Sequence, residues 1–339
     1  IQAHRSSFSE NPFYASLLGP EAKTGDPGLS AFENIAFASA AEALEGQDIE
    51  LSGPRTGFIL SSTKGNISVI EGDGPVTEDR VGLSSSAERI AGKLGLRNEP
   101  LVISHACISG LLAMITGMRL IQAGIYDDVI VTGADLITGF ILSGFQSFQA
   151  ISPEPCRPFD AERDGITLGE AAATVILSSR GKKDSILLSG GSVSNDANHI
   201  SGPSRTGAEL SLAIRNAMSQ AGTGPSGIGF ISAHGTATRY NDDMEAKAIH
   251  LAGLEKIPLN SLKGYFGHTL GAAGLIESII SIHSLKENIL FPTRGFKNPG
   301  TEKPLNVIRQ LTPAKSGRCL KTASGFGGCN AAVVLEKPD

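Results

Sequence analysis

A cysteine and two histidines stand out as residues that could carry nucleophilic chemistry. Cys107 follows an apolar run at 101–104, which predicts a buried strand, and apolar residues at helical spacing follow it. Such a turn places a thiol at the positive end of a helix dipole, which lowers the thiol pKa, and beside N–H groups that could stabilise an oxyanion. The pattern predicts a covalent nucleophile. A buried cysteine that packs as a small apolar residue is the alternative.

Both histidines lie in settings that allow close approach. His234 directly follows a second apolar run, 228–233, and precedes a glycine and two threonines. His268 lies in the glycine- and alanine-rich stretch 264–274, which leads into an apolar helix pattern. Small neighbours allow backbone or substrate to come near an imidazole. A nucleophilic cysteine with histidines elsewhere in the chain is a typical catalytic set.

The other acids and histidines also fit structural roles. Asp242 and Glu245 lie on one face of the first turn of a helix predicted at 242–251, where carboxylates suit the helix dipole. His105, two residues before Cys107, is interpreted as structural. The histidines without a special context are His4, His250 and His283.

Alternating strands and helices must position these residues. Continuous apolar strands between helical patterns predict an α/β fold whose sheets are covered on both faces. The predicted strands are 56–61, 101–104, 128–134, 173–178, 185–189, 228–233 and 329–335. The predicted helices are 33–45, 84–95, 207–221, 242–251 and 270–286. Residues 1–30 are predicted to be irregular, and the lack of a low-complexity linker predicts one compact unit.

Composition narrows the class of protein. The chain has 339 residues, of which 40% are hydrophobic, and a net charge of −5, which argues against a general binder of nucleic acid or membrane surfaces. The longest apolar region, 101–126, is interrupted by polar residues, so no membrane span is expected. No C-x-x-C motif occurs, which favours a reduced cytoplasmic protein. The cysteines are Cys107, Cys156, Cys319 and Cys329.

Six ordered motifs resemble those of elongation-type β-ketoacyl-acyl-carrier-protein synthases. The Cys-His-His set of that family is matched by HACISG around Cys107, HGTATRYNDDMEAKAI from His234 and NSLKGYFGHTLGAAG around His268. Three further stretches agree with family patterns in order and spacing. They are CRPFDAERDGITLGEAAATVIL (156–177), NDANHISGP (195–203) and SGFGGCNAAVVLE (324–336).

The resemblance implies a fold and partners. The fold would be thiolase-like, a duplicated α/β/α/β/α arrangement whose halves are residues 1–180 and 181–339, with the cysteine in the first and both histidines in the second. The family forms homodimers and acts on acyl carrier proteins, which bring phosphopantetheine, so no cofactor or metal of the chain's own is expected. The family's opening V-T-G-x-G strand is not found, and the sequence begins at Ile1. An N-terminal piece is therefore expected to be missing, or the first strand to be absent.

The resemblance also implies a mechanism. Cys107 would accept an acyl chain from a carrier thioester, and malonyl carrier protein would then lose carbon dioxide. The resulting carbanion would attack the Cys107 thioester and release a β-ketoacyl chain that is two carbons longer. His234 and His268, as neutral imidazoles, would donate hydrogen bonds to the developing enolate.

The family pattern assigns supporting roles to further residues. Oxyanion N–H groups would come from Cys107 and Phe326, and Thr236 and Thr238 would contact phosphopantetheine. Ser324 stands where a bulky gating phenylalanine is usual, which predicts a wider acyl gate.

A charged pair is also implied. Lys263 and Glu245 match a pair that orders the site, with Asp242 as a structural acid beside it. The apolar stretch 137–150 could line the acyl channel, form a subunit contact, or belong to the ordinary core.

Three other interpretations fit parts of the sequence. The chain could be a non-catalytic partner subunit of a synthase, although Cys107, both histidines and Lys263 persist. It could be a coenzyme A-dependent thiolase that uses Cys329 as its second cysteine, although the histidine motifs fit synthases better. A serine acyl enzyme is discarded because the S-x-x-K at 61–64 follows the K-T-G at 23–25, the reverse of that family's order.

Overall fold

Two large β-sheets and the helices that cover them form most of the described structure, with two smaller sheets of three and two strands beside them. The computed structural model describes residues 2–4, 13–72 and 76–338. Its helices are α1 (Ala31–Leu44), α2 (Glu78–Val81), α3 (Leu83–Leu94), α4 (Ser109–Gln122), α5 (Gly139–Ser147), α6 (Ala208–Gln220), α7 (Arg239–Leu251), α8 (Lys263–Phe266) and α9 (Ala273–Glu287). Its strands are β1 (Gln2–His4), β2 (Phe13–Ser16), β3 (Thr56–Ser61), β4 (Leu101–Ile103), β5 (Asp128–Asp135), β6 (Leu168–Gly169), β7 (Ala171–Ser178), β8 (Leu187–Asn195), β9 (Phe230–Ser232), β10 (Leu259–Asn260), β11 (Ile289–Leu290), β12 (Thr312–Pro313), β13 (Arg318–Gly325) and β14 (Cys329–Glu336).

The two sheets share one plan. The first has the strand order β4-β3-β5-β7, with β3 parallel to β4 and β5, and β7 antiparallel to β5. The second has the order β10-β9-β13-β14-β8, with β9 parallel to β10 and β13, and β14 antiparallel to β13. Strand β8 then adds an antiparallel neighbour to β14, whereas β7 ends the first sheet among the described residues.

Five layers result from the packing of helices on these sheets. One apolar core joins the inner faces of both sheets to α4 and α9, with Val131, Leu111, Leu275 and Val333 among its buried residues. The outer face of the first sheet packs on α1 and α3, and that of the second on α6 and α7. Sheets buried on both faces explain the continuous apolar strands of the sequence. The expected α/β/α/β/α fold is confirmed.

Two glycines bring the central helices into close contact. A Cβ on Gly274 of α9 would lie 2.7 Å from the Leu111 nitrogen of α4, and one on Gly110 would lie 2.9 Å from the Gly271 oxygen. Neither position has room for a side chain without a backbone shift. The close approach places the start of α4, directly after Cys107, beside the start of α9, shortly after His268.

The element predictions differ from the structure in a few places. Residues 1–30 were predicted to be irregular, but β1 and β2 lie within them and pair antiparallel. Residues 1 and 5–12, and the His4 side chain, lie outside the described part. The helix predicted at 242–251 begins earlier, at Arg239, and that at 270–286 starts with a 3-10 turn, Leu270–Ala272. Strand β13 was missed because a lysine interrupts its apolar pattern. In the described ranges no helix is long and apolar enough to cross a membrane.

Candidate active site

Cys107 lies in a tight turn between β4 and α4, as the sequence predicted. The Ser109 hydroxyl holds this turn: it accepts a hydrogen bond from the His105 N–H at 2.7 Å and donates to the Ala106 carbonyl at 2.6 Å. Ala106 adopts a φ of 46°, a conformation that a non-glycine residue rarely takes outside constrained sites. The turn buries Cys107 to 7% exposure and aims it into a cavity.

The predicted lowering of the thiol pKa is wrong in its net direction. Burial raises the pKa of Cys107 to about 12, helped by the neighbouring Cys329, Asp135 and Glu277 and opposed by Lys263. A helix terminus favours the thiolate by at most about 2 kcal/mol, which burial outweighs here. Cys107 therefore rests as a thiol, and as a nucleophile it would have to lose its proton during the attack.

This pKa predicts a specific pH dependence of alkylation. Because the thiolate fraction grows tenfold per pH unit below the pKa, the rate of iodoacetamide addition to Cys107 should keep rising through about pH 10 without a plateau. Mass spectrometry of the labelled peptide at a series of pH values measures the rate at Cys107 separately from the other cysteines. A plateau below about pH 9 would instead show that the helix terminus prevails.

The two histidines meet beside this thiol. The ring centroids of His234 and His268 are 5.3 Å apart with an interplanar angle of 84°, and both residues line the same cavity as Cys107. Burial, and then the charge of Lys263, holds the pKa of each imidazole well below its usual value. Both rings are therefore neutral at pH 7, as the enolate-stabilising role requires.

The tautomer of His268 follows from a backbone hydrogen bond. The Leu270 N–H donates to His268 Nδ1 at 3.3 Å, so Nδ1 is an acceptor. A neutral imidazole whose Nδ1 accepts carries its proton on Nε2. His268 is thus a hydrogen-bond donor through Nε2, set by the turn that opens α9.

Glu245 and Asp242 hold the chain around His234. The Glu245 carboxylate accepts hydrogen bonds from the N–H groups of His234 and Gly235, both at 2.8 Å, and from the Thr322 hydroxyl at 2.7 Å. The Asp242 carboxyl accepts from the Phe159 N–H at 2.8 Å, and burial raises the pKa of Asp242 to about 7. Both acids act on the backbone, beyond the capping role that their spacing also fits.

The expected ion pair between Lys263 and Glu245 is wrong. Lys263 pairs instead with Glu277 of α9, with 2.6 Å between Nζ and Oε1. Glu245 is already occupied by three donors from the His234 turn and β13. Both members of the observed pair are buried, Lys263 to 1% exposure. Lys263 therefore lies close enough to both histidines to affect their pKa values, but its ion-pair partner differs from the predicted one.

Sequence reasoning missed two charged residues of this site. Glu277 follows Leu275 and Ile276 near the start of α9, and Lys321 lies in a strand whose other buried residues are uncharged. Lys321 forms a second ion pair with Glu277, with 2.8 Å between Nζ and Oε2. A charge embedded in an apolar element was the available signal, since such a residue is rarely buried unless paired.

The cavity in front of these residues has a volume of about 420 Å³. It is lined by the cysteine and both histidines, by the threonines of the HGTAT motif, and by aromatic residues. The lining includes Cys107, Phe145, Phe148, His234, Thr236, Thr238, Arg239, Tyr240, His268, Ser324 and Phe326. Such a largely apolar cleft with a few polar groups suits a chain-like ligand.

Part of the 137–150 stretch lines this cavity. Phe145 and Phe148 of this stretch stack loosely on Phe326, with ring centroids 5.8 and 5.2 Å apart. Ser324 is 6% exposed and donates its hydroxyl proton to Asn330 at 2.7 Å. The wall near Phe326 is thus aromatic on one side and small and polar at Ser324.

Cys329 does not reach the cavity. It is 2% exposed, and its thiol donates to the Phe326 carbonyl at 3.4 Å. A second catalytic cysteine would have to face the substrate, so the thiolase interpretation loses its main support.

Comparison with known proteins decides the family. Residues 22–183 match the model described as "Beta-ketoacyl synthase, N-terminal domain", and residues 186–297 match the one described as "Beta-ketoacyl synthase, C-terminal domain". The chain belongs to the β-ketoacyl synthase family. The family resemblance seen in the six motifs is thereby confirmed.

Individual β-ketoacyl synthases agree with this assignment. The chain is 31% identical over 345 residues to the 3-oxoacyl-[acyl-carrier-protein] synthase 2 of Vibrio cholerae, covering 91% of this chain and 83% of that one. A β-ketoacyl synthase structure from Burkholderia phymatum is 25% identical with a TM-score of 0.87, over 96% of this chain and 88% of that chain. A ketosynthase in complex with its chain length factor from Xenorhabdus doucetiae is 27% identical with a TM-score of 0.82, over 100% and 90%. The thiolase-like ketosynthase fold is therefore confirmed.

Proposed function

We propose that this protein is an acyltransferase that condenses a Cys107-bound acyl chain with malonyl-acyl carrier protein. The observation that carries the proposal is the convergence of Cys107, His234 and His268 on one apolar cavity. A nucleophilic thiol and two neutral hydrogen-bond donors are the groups that a decarboxylative Claisen condensation needs. The name of the Vibrio cholerae relative supports the carrier protein as substrate.

The proposed reaction has two halves. First, the Cys107 sulfur attacks the acyl thioester, its proton passes to the departing phosphopantetheine thiol, and the acyl group is left on Cys107. Second, the malonyl thioester loses carbon dioxide, and the enolate carbon attacks the Cys107 thioester. A carbon–carbon bond forms, the carbon–sulfur bond breaks, and the Cys107 sulfur takes up a proton from solvent. The reaction uses the carrier's phosphopantetheine and needs no cofactor held by this chain.

Supporting residues have defined roles in this scheme. The N–H groups of Cys107 and Phe326 would bind the thioester oxygen during both attacks. Thr236 and Thr238, whose hydroxyl oxygens are 3.0 Å apart on the cavity wall, would contact phosphopantetheine. Lys263 would provide a fixed positive charge beside the two histidines, and its ion pair with Glu277 would hold it there.

Intact-protein mass spectrometry tests the proposal. The protein is incubated with a panel of acyl carrier protein thioesters, and malonyl carrier protein is added afterwards. We expect a mass gain of one acyl chain on Cys107, then its loss together with a carrier-bound product two carbons longer. Folded protein that no chain acylates would favour the partner-subunit interpretation instead.

Ser324 should set the room available to the acyl chain. Its replacement with phenylalanine fills the small part of the wall beside Phe326, so acylation by long chains should fall about tenfold relative to short ones. The same mass-spectrometric panel measures the ratio. Ser324→Ala, which removes the hydroxyl without filling space, should leave the ratio unchanged. An equal fall for every chain length would contradict a gate at this position.

Docking of an acidic carrier protein should depend on Arg239. This exposed arginine lines the cavity next to Tyr240, which is 81% exposed, so both lie where a phosphopantetheine arm would enter. Arg239→Glu should raise the carrier KM about tenfold at low salt and less at high salt. Arg215→Glu, an exposed arginine on α6, is the matched control. Unchanged carrier binding in Arg239→Glu would sink the electrostatic proposal.

We further propose a cytoplasmic homodimer. Strand β4 lies at one end of the first sheet with Leu101 39% exposed, so a second copy could extend the sheet there. The free state of all four cysteines is consistent with a reducing compartment. Multi-angle light scattering should give twice the chain mass of 35.2 kDa. A monomer that dimerises with a second, different chain would favour pairing with a chain length factor.

A further inference from the structure

Lys321 is a fully buried lysine that the proposed reaction leaves without a role. It lies on β13 between Cys319 and Ala323, on the strand face that packs into the central apolar core. Its exposure is 0%. A lysine in such a place is costly unless its ammonium group is fully paired, so its contacts identify what it holds.

Four oxygen atoms surround the ammonium group. Nζ donates to the carbonyls of Ser232, Ala233 and Thr322 at 3.2, 3.3 and 2.6 Å. Glu277 Oε2 forms an ion pair with it at 2.8 Å. Ser232 and Ala233 are the last two residues before His234, so Lys321 binds the end of the strand that delivers this histidine to the cavity.

Glu277 connects Lys321 to the rest of the site. One carboxylate oxygen pairs with Lys263 and the other with Lys321, so two cations from different elements clamp one anion. The clamp joins α8, α9 and β13 behind the two histidines. The other titratable groups that interact with Lys321 are Glu245 of α7, Cys319 of its own strand, and the two histidines of the cavity.

We propose that Lys321 is a positioning residue of the condensing site, which orients His234 through the carbonyls before it and fixes Glu277 on Lys263. The inference rests on the function proposed above. Lys321 acts through these groups, since it is not among the residues that line the cavity. Its charge also adds to that of Lys263 in disfavouring protonation of His234 and His268.

Loss of this cation should change the pH profile of the reaction. When an uncharged residue replaces Lys321, less positive charge opposes protonation of the two imidazoles. The pKa of each histidine should therefore rise toward its usual value. Protonated His268 carries a proton on Nδ1, which then opposes the Leu270 N–H and disturbs the ring. The acid limb of malonyl decarboxylation should therefore move to higher pH.

The experiment compares Lys321→Met, Lys321→Gln and Lys321→Arg with the unsubstituted protein. Malonyl carrier protein decarboxylation is measured across pH, and Cys107 acylation is measured by mass. Met and Gln should lower kcat for decarboxylation about tenfold at pH 7, move the acid limb up by about one unit, and change acylation less than about threefold. Arg, which keeps the charge, should restore the limb. Lys337→Met is the matched control, because Lys337 also binds carbonyls, those of Leu285 and Lys286, away from the site.

Each outcome separates the inference from the function on which it rests. An inactive native protein would overturn the proposed function, whatever the variants do. An active native protein with an unshifted acid limb in Lys321→Gln would overturn the inference. An equal fall of acylation and decarboxylation at every pH would reduce Lys321 to a structural residue. If Lys321→Met does not fold, the Gln and Arg variants decide the question.

Discussion

Replacing Cys107 with alanine should abolish acylation and lower the condensation rate by at least about 10³-fold. No other thiol lines the cavity among the described residues, so nothing can take over the acyl chain. Intact mass after incubation with acyl carrier protein measures the first effect, and product formation measures the second. The unfolding temperature should stay close to that of the native protein, because alanine fills most of the space of a small buried side chain.

Cys329→Ala is the matched control for this experiment. Cys329 is buried close to the Cys107 turn, and its thiol also donates to the His105 carbonyl at 3.8 Å. It should keep acylation and condensation within about threefold, since it does not line the cavity. Loss of turnover with acylation intact in Cys329→Ala would bring back the thiolase interpretation.

Replacing His268 with alanine should separate the two halves of the reaction. The imidazole donates from Nε2 to the enolate oxygen in the proposed scheme, and removal of one such donor typically costs about 10²- to 10³-fold in rate. Malonyl decarboxylation should fall by this amount, whereas acylation of Cys107 should fall less than about tenfold. Release of labelled carbon dioxide measures the first, and intact mass measures the second.

His283→Ala provides the comparison for His268→Ala. His283 lies on α9, the helix that begins shortly after His268, but its side chain is exposed. It should leave both measurements unchanged. Decarboxylation that survives in His268→Ala would assign enolate stabilisation to other groups and would leave His268 a structural role.

Four charged side chains are buried close to the two histidines of this site. Glu277, Lys263 and Lys321 form ion pairs in a core that excludes water, and Glu245 is held there by backbone and hydroxyl donors. Such groups are destabilising unless every polar atom finds a partner. Their concentration behind His234 and His268 therefore indicates positioning of the histidines rather than stability for its own sake.

Local features of the structure were predictable from sequence. The strand periodicity, the glycine-rich turns and the small residues around Cys107 and His268 act over a few residues, so β3 occurs at the predicted positions and α4 follows the cysteine turn. The motifs around Cys107, His234 and His268 were likewise sufficient to place all three in one site. Element ends were less predictable, since α7 begins at Arg239, about one turn before the predicted start at residue 242.

What only the tertiary structure decided is the environment of these residues. The sequence predicted Glu245 as the partner of Lys263, whereas in the structure Glu245 accepts hydrogen bonds from the His234 turn and Lys263 pairs with Glu277. The thiol pKa depends on groups that are distant in the chain: burial raises it, and the charge of Lys263 opposes that rise. Lys321 meets Glu277 because β13 and α9 pack face to face, although 43 residues separate the two in the chain. Burial and long-range charge pairing arise from the packed layers, and therefore the sequence identifies the candidate catalytic groups while the fold determines their protonation and partners.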